Sequence, residues 1–361
     1  MKPIQVTEPF LPPLEEYVGH LKGIWDRNWL TNQGPLVCQL EQELQKYHRI
    51  PHAVHCVANG ALGLQIALKA LGVGGEVITT PFSYIATTAC PLWEGCTVKF
   101  ADIDPATLNI SPEAVEAAIT PQTEAILATH VFGNPCDVEA LESIADRYGL
   151  ALVYDAAHAF GVRCNGKSIL EFGDASMVSL HATKLFHTIE GGFVVAKDAA
   201  VSGKIEWMRR FGHKGQDDFY GVGINAKLSE FHAAMGLCNM NYIEEILSSR
   251  RRAYDLYLQG LAGLSRLGFQ KKIAGHNSSY FPLIFETEAL LLTVLKALQR
   301  GGVEPRRYFY PALSSVKNLG ANGRMKVSEE TAKRILCLPL SHGIKHHEIN
   351  SITTIVKKHL E

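Results

Sequence analysis

The chain has little of what would point to nucleic acid, membrane or metal chemistry. Its 361 residues hold 35 Lys and Arg against 36 Asp and Glu, a formal net charge of -1. No basic excess is therefore available to neutralise phosphate backbones, and nucleic acid is not an expected partner. No stretch approaches the roughly 18 apolar residues that a membrane span requires. The longest apolar runs, such as Ala151-Leu152-Val153-Tyr154, have the length of a buried strand. The amino-terminal MKPIQVTEPFLPPLEEYVGH is interrupted by prolines where a secretory signal needs an unbroken apolar core. Eight cysteines, at 38, 56, 90, 96, 136, 164, 238 and 337, include no CxxC pair. Zinc or a redox dithiol would need closer pairing, so no metal is expected. A disulfide framework does not suit so long a chain, and the thiols read as reduced and semi-buried in a cytoplasmic protein. Internal repeats, low-complexity tracts and a Walker loop are all missing, and the first glycine turn is not GxGxxG, which removes support for nucleoside-triphosphate and dinucleotide readings.

What is present is an ordinary globular composition, 47% apolar and 20% charged, in which apolar runs alternate with helical periodicity. Strands are expected at 53–57, 76–80, 98–102, 125–129, 151–155 and 175–178. Helices are expected from Ala61, near 84–93, over 111–119 with Pro112 at the first position, and over 137–148. That alternation predicts a mainly parallel sheet covered on both faces. A glycine-rich polar stretch, Phe211 to Asn225, precedes one long helical region, 228–261. Strand-like runs at 279–285 and 335–339, with helices near 287–300 and 346–359, predict a smaller α/β domain. The division expected is 1–250, a large domain with an amino-terminal arm, and 251–361.

Five segments carry chemistry. Lys184 follows the apolar strand Ala175–Val178 within Ser179-Leu180-His181-Ala182-Thr183-Lys184-Leu185-Phe186-His187-Thr188-Ile189-Glu190-Gly191-Gly192. A lysine among small, hydroxyl and aromatic neighbours can be desolvated, which lowers its pKa and makes the amine nucleophilic; the alternative is a surface lysine before a glycine turn. Asp155 ends the strand Leu152-Val153-Tyr154, with His158 just beyond. The carboxyl ends of strands are where α/β sheets bind ligands, and such an aspartate can pair with a protonated pyridine nitrogen or simply cap a helix. Asn59-Gly60-Ala61 opens a helix and offers backbone amides to an anion, although many turns hold glycine for geometry alone. Tyr84, at a second strand–helix junction, can stack on a flat ring or sit in the core. Gly223-Ile224-Asn225-Ala226-Lys227-Leu228-Ser229-Glu230 is a polar loop entering a helix, which can also be no more than a cap.

In this order and spacing, the five segments resemble the DegT/StrS family of pyridoxal-phosphate-dependent nucleotide-sugar aminotransferases, over about residues 25–260 and more weakly beyond. The resemblance implies an aspartate-aminotransferase-like α/β fold (pyridoxal-phosphate fold type I). It implies Lys184 as the residue that holds the cofactor aldehyde as a Schiff base and then moves the proton. It implies Asp155 at the pyridine nitrogen, His158 on one ring face and Tyr84 on the other. Gly60, Ala61 and Ser179 match phosphate-binding positions. Asn225 matches an asparagine that reaches the phosphate from a second subunit, which implies a homodimer with shared active sites. Thr188, Glu190, Gly191 and Gly192 fit the turn after the lysine.

The chain departs from the family pattern in places. Asn59-Gly60-Ala61 replaces a common Ser-Gly-Thr, removing one hydroxyl; His158 stands where many relatives have Gln; Glu230 and His232 replace apolar or amide residues. Members that catalyse dehydration carry histidine in place of the lysine, and this chain keeps Lys184. The implied reaction takes the amino group of L-glutamate to C4 of a dTDP-4-keto-6-deoxyhexose, giving dTDP-4-amino-4,6-dideoxyglucose for surface-glycan (O-antigen, lipopolysaccharide) biosynthesis. The alternatives are the C3 ketone, or a non-catalytic binding protein on the same fold. Substrate contacts are expected from Lys227, His187, Thr188, Glu190, Arg306, Tyr308 and Tyr310, with Arg307 beside them.

Overall fold

Short apolar strands separated by helices assemble, as their alternation requires, into one large sheet. The computed structural model describes residues 3–319 and 323–360. A short strand β1 (Ile4–Gln5) and helices α1 (Leu14–Arg27) and α2 (Pro35–His48) come first. The alternating region then runs β2 (Val54–Val57), α3 (Gly60–Leu71), β3 (Glu76–Thr79), α4 (Ala86–Trp93), β4 (Thr97–Phe100), α5 (Pro112–Ala118), β5 (Thr123–Thr129), α6 (Val138–Tyr148) and β6 (Ala151–Asp155). A small antiparallel pair, β7 (Arg163–Cys164) and β8 (Lys167–Ser168), leads to β9 (Ala175–Ser179), β10 (Gly192–Ala196) and α7 (Ala199–Met208).

The seven-stranded sheet has the order β2-β10-β9-β6-β5-β3-β4. Only β10 is antiparallel to its neighbours. Reversal places the amino end of β10 at the sheet edge where the other six strands have their carboxyl ends, so the loop from β9 to β10 crosses that edge. Apolar side chains cover both faces, as a parallel sheet demands. One core packs the sheet against α1, α2, α6 and the helix over 230–240; the other packs it against α3, α4 and α7.

Beyond the sheet lie α8 (Glu230–Met240), α9 (Ile243–Leu261), β11 (Leu267–Phe269), β12 (Phe281–Phe285), α10 (Glu288–Arg300), β13 (Val303–Glu304), α11 (Lys326–Arg334), β14 (Ile335–Leu338) and α12 (His346–Lys358). A three-stranded sheet β11-β12-β14 packs on α9, α10 and α12. A boundary at residue 250 falls inside α9, whose Ile243 and Ile246 join the large core while Tyr254, Tyr257 and Leu261 join the small one. A fourth apolar cluster joins the two regions, with Phe82 and Phe132 from one side and Tyr280, Phe309 and Ile335 from the other.

One expectation is refined, and several elements had none. The region 228–261 is two helices, not one, broken at Asn241 and Tyr242. No proline or glycine marks the break; instead Tyr242 and Asn241 reach Glu16 of α1. The strand β10 and helices α1, α2, α7 and α11 were not anticipated; Pro13, Pro35 and the Gly191-Gly192 pair stand at the starts of α1, α2 and β10 and blur the pattern there. All eight cysteines are free, six of them buried.

Candidate active site

Five of the six anticipated strands end at one place. A cavity of about 580 Å³ opens at the carboxyl edge of the large sheet. The β2–α3 junction contributes Asn59, Gly60 and Ala61; the β3–α4 connection contributes Ser83 and Tyr84; β5 ends there in Thr129. β6 brings Asp155 and His158, and the β9–β10 loop brings Ser179, Lys184 and Glu190. The small region closes the far wall with Tyr280, Arg306, Tyr308 and Phe309. This is the crevice in which open α/β sheets bind ligands.

Local geometry explains the anion side. Asn59 caps α3, its Oδ1 accepting from Leu62 N at 2.9 Å. First-turn amides have no carbonyl to reach within the helix, which leaves those of Gly60 and Ala61 for a ligand. A Cβ on Gly60 would stand 2.9 Å from Met177 Sδ, so glycine is what lets α3 start so close to β9.

The central groups carry charge in an apolar setting. Burial pulls the Lys184 ammonium down to about 8, against the opposing pull of the Asp155 carboxylate. Asp155 is 4% exposed. Burial raises its pKa, while Thr87, the Ala157 amide and Lys184 act to lower it. The Thr87 hydroxyl donates to its Oδ2 at 2.6 Å, and Ala157 N to its Oδ1 at 3.1 Å. Burial also holds His158 neutral. Phe132 N donates to its Nδ1 at 3.3 Å, which leaves the ring proton on Nε2. The His158 ring lies parallel to Phe132 and Phe309, at 4° and 3°. Its backbone carbonyl accepts from Asn277 and Ser279, each at 2.8 Å. The His158 plane is therefore fixed from both regions of the molecule.

These features match what pyridoxal phosphate needs. Asp155 is a buried carboxylate to which the structure gives hydrogen-bond donors and the charge of Lys184 but no ion pair, so it has capacity left for a protonated ring nitrogen. Half-exposed Tyr84 and flat, immobilised His158 both face the cavity. Free amides at α3, beside the Ser179 hydroxyl, offer a phosphate cradle.

Other expected residues lie elsewhere. His187 is buried, its Nε2 against Phe10 O at 2.7 Å and its carbonyl accepting from Asn239 at 2.9 Å; it ties the amino-terminal arm to the core and does not line the cavity. Thr188 is fully buried and donates to Glu190 O at 2.8 Å, holding the turn rather than facing a ligand. Gly191 lines the cavity, while Gly192 begins β10 against Gly60, with space for no side chain. Tyr310 is exposed, outside the cavity, with the Arg307 guanidinium 3.5 Å from its ring centre; Arg307 itself pairs with Glu288. Asn225 and Lys227 also stand outside the single-chain cavity, Lys227 Nζ donating to Asn225 Oδ1 at 2.6 Å. Glu230 is fully buried and accepts from Leu36 N and Val37 N, capping α2. His232 bonds the Ser229 hydroxyl at 2.7 Å. The sequence reading missed Thr129, Ser83, Thr183, His181, Tyr280 and Phe309 as cavity residues. Nothing local marks most of them; Thr129 and Ser83, at or just past strand ends, carried the one usable signal.

Known proteins resemble this chain over nearly its whole length. The sequence model of the DegT/DnrJ/EryC1/StrS aminotransferase family matches residues 14–357. The chain is 40% identical to the dTDP-4-amino-4,6-dideoxy-D-glucose transaminase of Shigella dysenteriae, over 99% of each protein. It is 35% identical to the enzyme of the same name from Escherichia coli, over 98% of each. The crystal structure of DesI in the presence of its TDP-sugar product superposes with a TM-score of 0.93 at 32% identity, covering 99% of this chain and 93% of that one. A cavity that gathers aspartate and histidine past β6 and lysine past β9, and a match of this extent, lead to one conclusion: the chain belongs to the DegT/DnrJ/EryC1/StrS aminotransferase family, whose enzymes depend on pyridoxal phosphate.

Proposed function

We propose that this protein transfers the amino group of L-glutamate to C4 of a dTDP-4-keto-6-deoxyhexose, giving dTDP-4-amino-4,6-dideoxyglucose. The observation that carries the chemistry is Lys184, Asp155 and His158 converging on one cavity. The choice of sugar rests on two relatives of that name, at 40% and 35% identity over nearly their whole lengths.

Bound pyridoxal phosphate supplies a carbonyl to take up the amino group and a ring to stabilise the carbanion at the donor's α-carbon. Lys184 would hold the cofactor through its amine and, as a free amine, would move the substrate's proton as general base and then general acid. Asp155 keeps the ring nitrogen protonated. His158 and Tyr84 hold the ring between them. Gly60, Ala61 and Ser179 take the phosphate, and Asn225 of a second copy completes that cradle. The exposed side chains of Phe219, Tyr220 and Val222, near Asn225 on one loop, support a homodimer, since such a cluster is more often covered than wet. Arg306 and Tyr308 at the cavity wall serve the anionic substrate. We read the chain as two domains dividing near residue 250, acting in the cytoplasm in surface-glycan synthesis.

Assay with L-glutamate and each of two acceptors, the dTDP-4-keto- and the dTDP-3-keto-6-deoxyhexose, tests the reading. Turnover with the 4-keto sugar and not the 3-keto sugar is expected. The reverse preference assigns C3, and bound cofactor that ignores glutamate removes the transaminase reading for this donor.

A further inference from the structure

Asp155 stands at the end of a line of hydroxyls that sequence reading did not find. Thr87 Oγ1 lies 2.6 Å from Asp155 Oδ2, Ser83 Oγ 2.7 Å from Thr87 Oγ1, and Thr129 Oγ1 3.1 Å from Ser83 Oγ. All four residues are at least nine-tenths buried, at 0% for Thr87, 2% for Ser83, 3% for Thr129 and 4% for Asp155. They come from three separate elements: the β3–α4 connection with the first turn of α4, the end of β5, and the end of β6.

Proton bookkeeping fixes the direction. An ionised carboxylate only accepts, so the single Thr87 proton goes to Asp155. Thr87 Oγ1 must then accept from Ser83, and Ser83 in turn from Thr129. Every dipole in the line points its positive end at Asp155, and successive bonds of one sense polarise one another.

We propose that Thr129, Ser83 and Thr87 form a one-directional hydroxyl relay that positions Asp155 and keeps it ionised opposite the cofactor's ring nitrogen. This rests on the assignment of Asp155 given above. The relay is needed because other charge near Asp155 is sparse. Lys184 faces it from the β9–β10 loop, and His158, from its own loop, is neutral. Cys90 of α4 is an uncharged thiol, pushed up to about 12. Thr87 is a positioning residue, since it acts only through Asp155.

The test measures pyridoxal phosphate affinity by absorbance titration, and the pH at which the visible band of the holoenzyme changes, in Thr87→Val, Thr87→Ser, Ser83→Ala and the Thr87→Val/Ser83→Ala double variant. Thr87→Val should weaken affinity roughly tenfold to a hundredfold, as losing a hydrogen bond to a charged group does, and should shift the pH midpoint. Thr87→Ser, which keeps the hydroxyl, should restore both. Ser83→Ala alone should have a smaller effect of the same sign, and none in the Thr87→Val background, because the line is already cut. Equal impairment by Val and Ser, or a Ser83→Ala effect that is unchanged in the Thr87→Val background, overturns the relay. If Thr87→Val does not fold, Ser83→Ala and Thr87→Ser decide alone: no shift with Ser83→Ala refutes it. Asp155→Asn separates the two layers. Normal cofactor binding and spectrum in Asp155→Asn sinks the assignment itself, whereas a defect there beside a normal Thr87→Val sinks only the relay.

Discussion

Two groups of charge sit on the large sheet, one beside β2 and the other at the carboxyl ends of β6 and β9, and they differ in how completely they are paired. At Cys56, Arg209 has a side chain 1% exposed. It donates to Glu41 at 2.5 Å and to the Cys56 carbonyl at 2.7 Å, and pairs with Glu206 as well. Glu206 also meets His55, at 3.1 Å, and Arg210, at 3.2 Å. With two carboxylates beside it, Arg209 stays charged, its pKa raised in spite of burial. At the carboxyl edge of the sheet, Lys184 and Asp155 share one cavity with no ion pair between them, and the lysine is pulled down to about 8. Saturated charge locks a fold together; charge left short of partners is kept for a ligand or a proton.

The sharpest way to break this comparison is to remove one charge from each group. Lys184→Ala should abolish the half-reaction with L-glutamate, by roughly a thousandfold or more given what a positioned proton carrier contributes. Thermal unfolding should stay close to wild type, since Lys184 has no ion pair to lose. A large fall in melting temperature would make Lys184 a structural residue and collapse the distinction.

Arg209→Met should show the opposite pattern. Leaving Glu41 and Glu206 without their cation costs about 3–5 kcal/mol, read as a lower midpoint in urea, while the folded fraction turns over within a few-fold of wild type. A normal midpoint with lost activity would place Arg209 in the chemistry.

This contrast also shows what the sequence could reveal. Lys184, Asp155, Gly60 and Tyr84 were legible because each follows an apolar run that reads as a strand, and parallel strands present their carboxyl ends at one edge. The Arg209 cluster was not, because it joins residues 41, 56, 206 and 209 from α2, β2 and α7, and pairing across such separations leaves no local period. His187 misled for a related reason. Its place in a motif next to the lysine suggested substrate, but Phe10, 177 positions away, claims its ring. Tyr280 and Phe309 reach the cavity only because the fourth apolar cluster docks the small region onto the sheet.

A subtler effect is on pH. A lysine is nucleophilic only as the free amine, so lowering its pKa raises the reactive fraction near neutrality. Capture of added pyridoxal phosphate by the apoprotein should rise with pH and level off above about 8, the value to which burial brings Lys184. An ordinary surface lysine would keep gaining to about 10.4. The nearby Asp155 carboxylate raises the lysine's pKa, so Asp155→Asn should move the midpoint lower. A midpoint near 10, or one that moves up in Asp155→Asn, would show that Lys184 is not the desolvated amine described here.

The smallest expected effect concerns a cation that belongs to neither group. Lys227 is half-buried, bonded to Asn225 at 2.6 Å and set over the Phe211 ring at 4.6 Å. It lies outside the cavity of its own chain, so it can act on substrate only where a second copy brings the 211–227 loop to a neighbouring site. A solvent-accessible cation facing a diphosphate is worth about 1 kcal/mol, or about fivefold in binding. Lys227→Ala should therefore raise KM for the sugar nucleotide about fivefold, leave KM for L-glutamate unchanged, and lose its effect as salt is increased. Equal changes in both KM values would remove Lys227 from the substrate site. A specific rise that vanishes when the protein is diluted to monomers would instead tie the nucleotide subsite to the dimer, extending the rule of partner-starved charge from one chain to two.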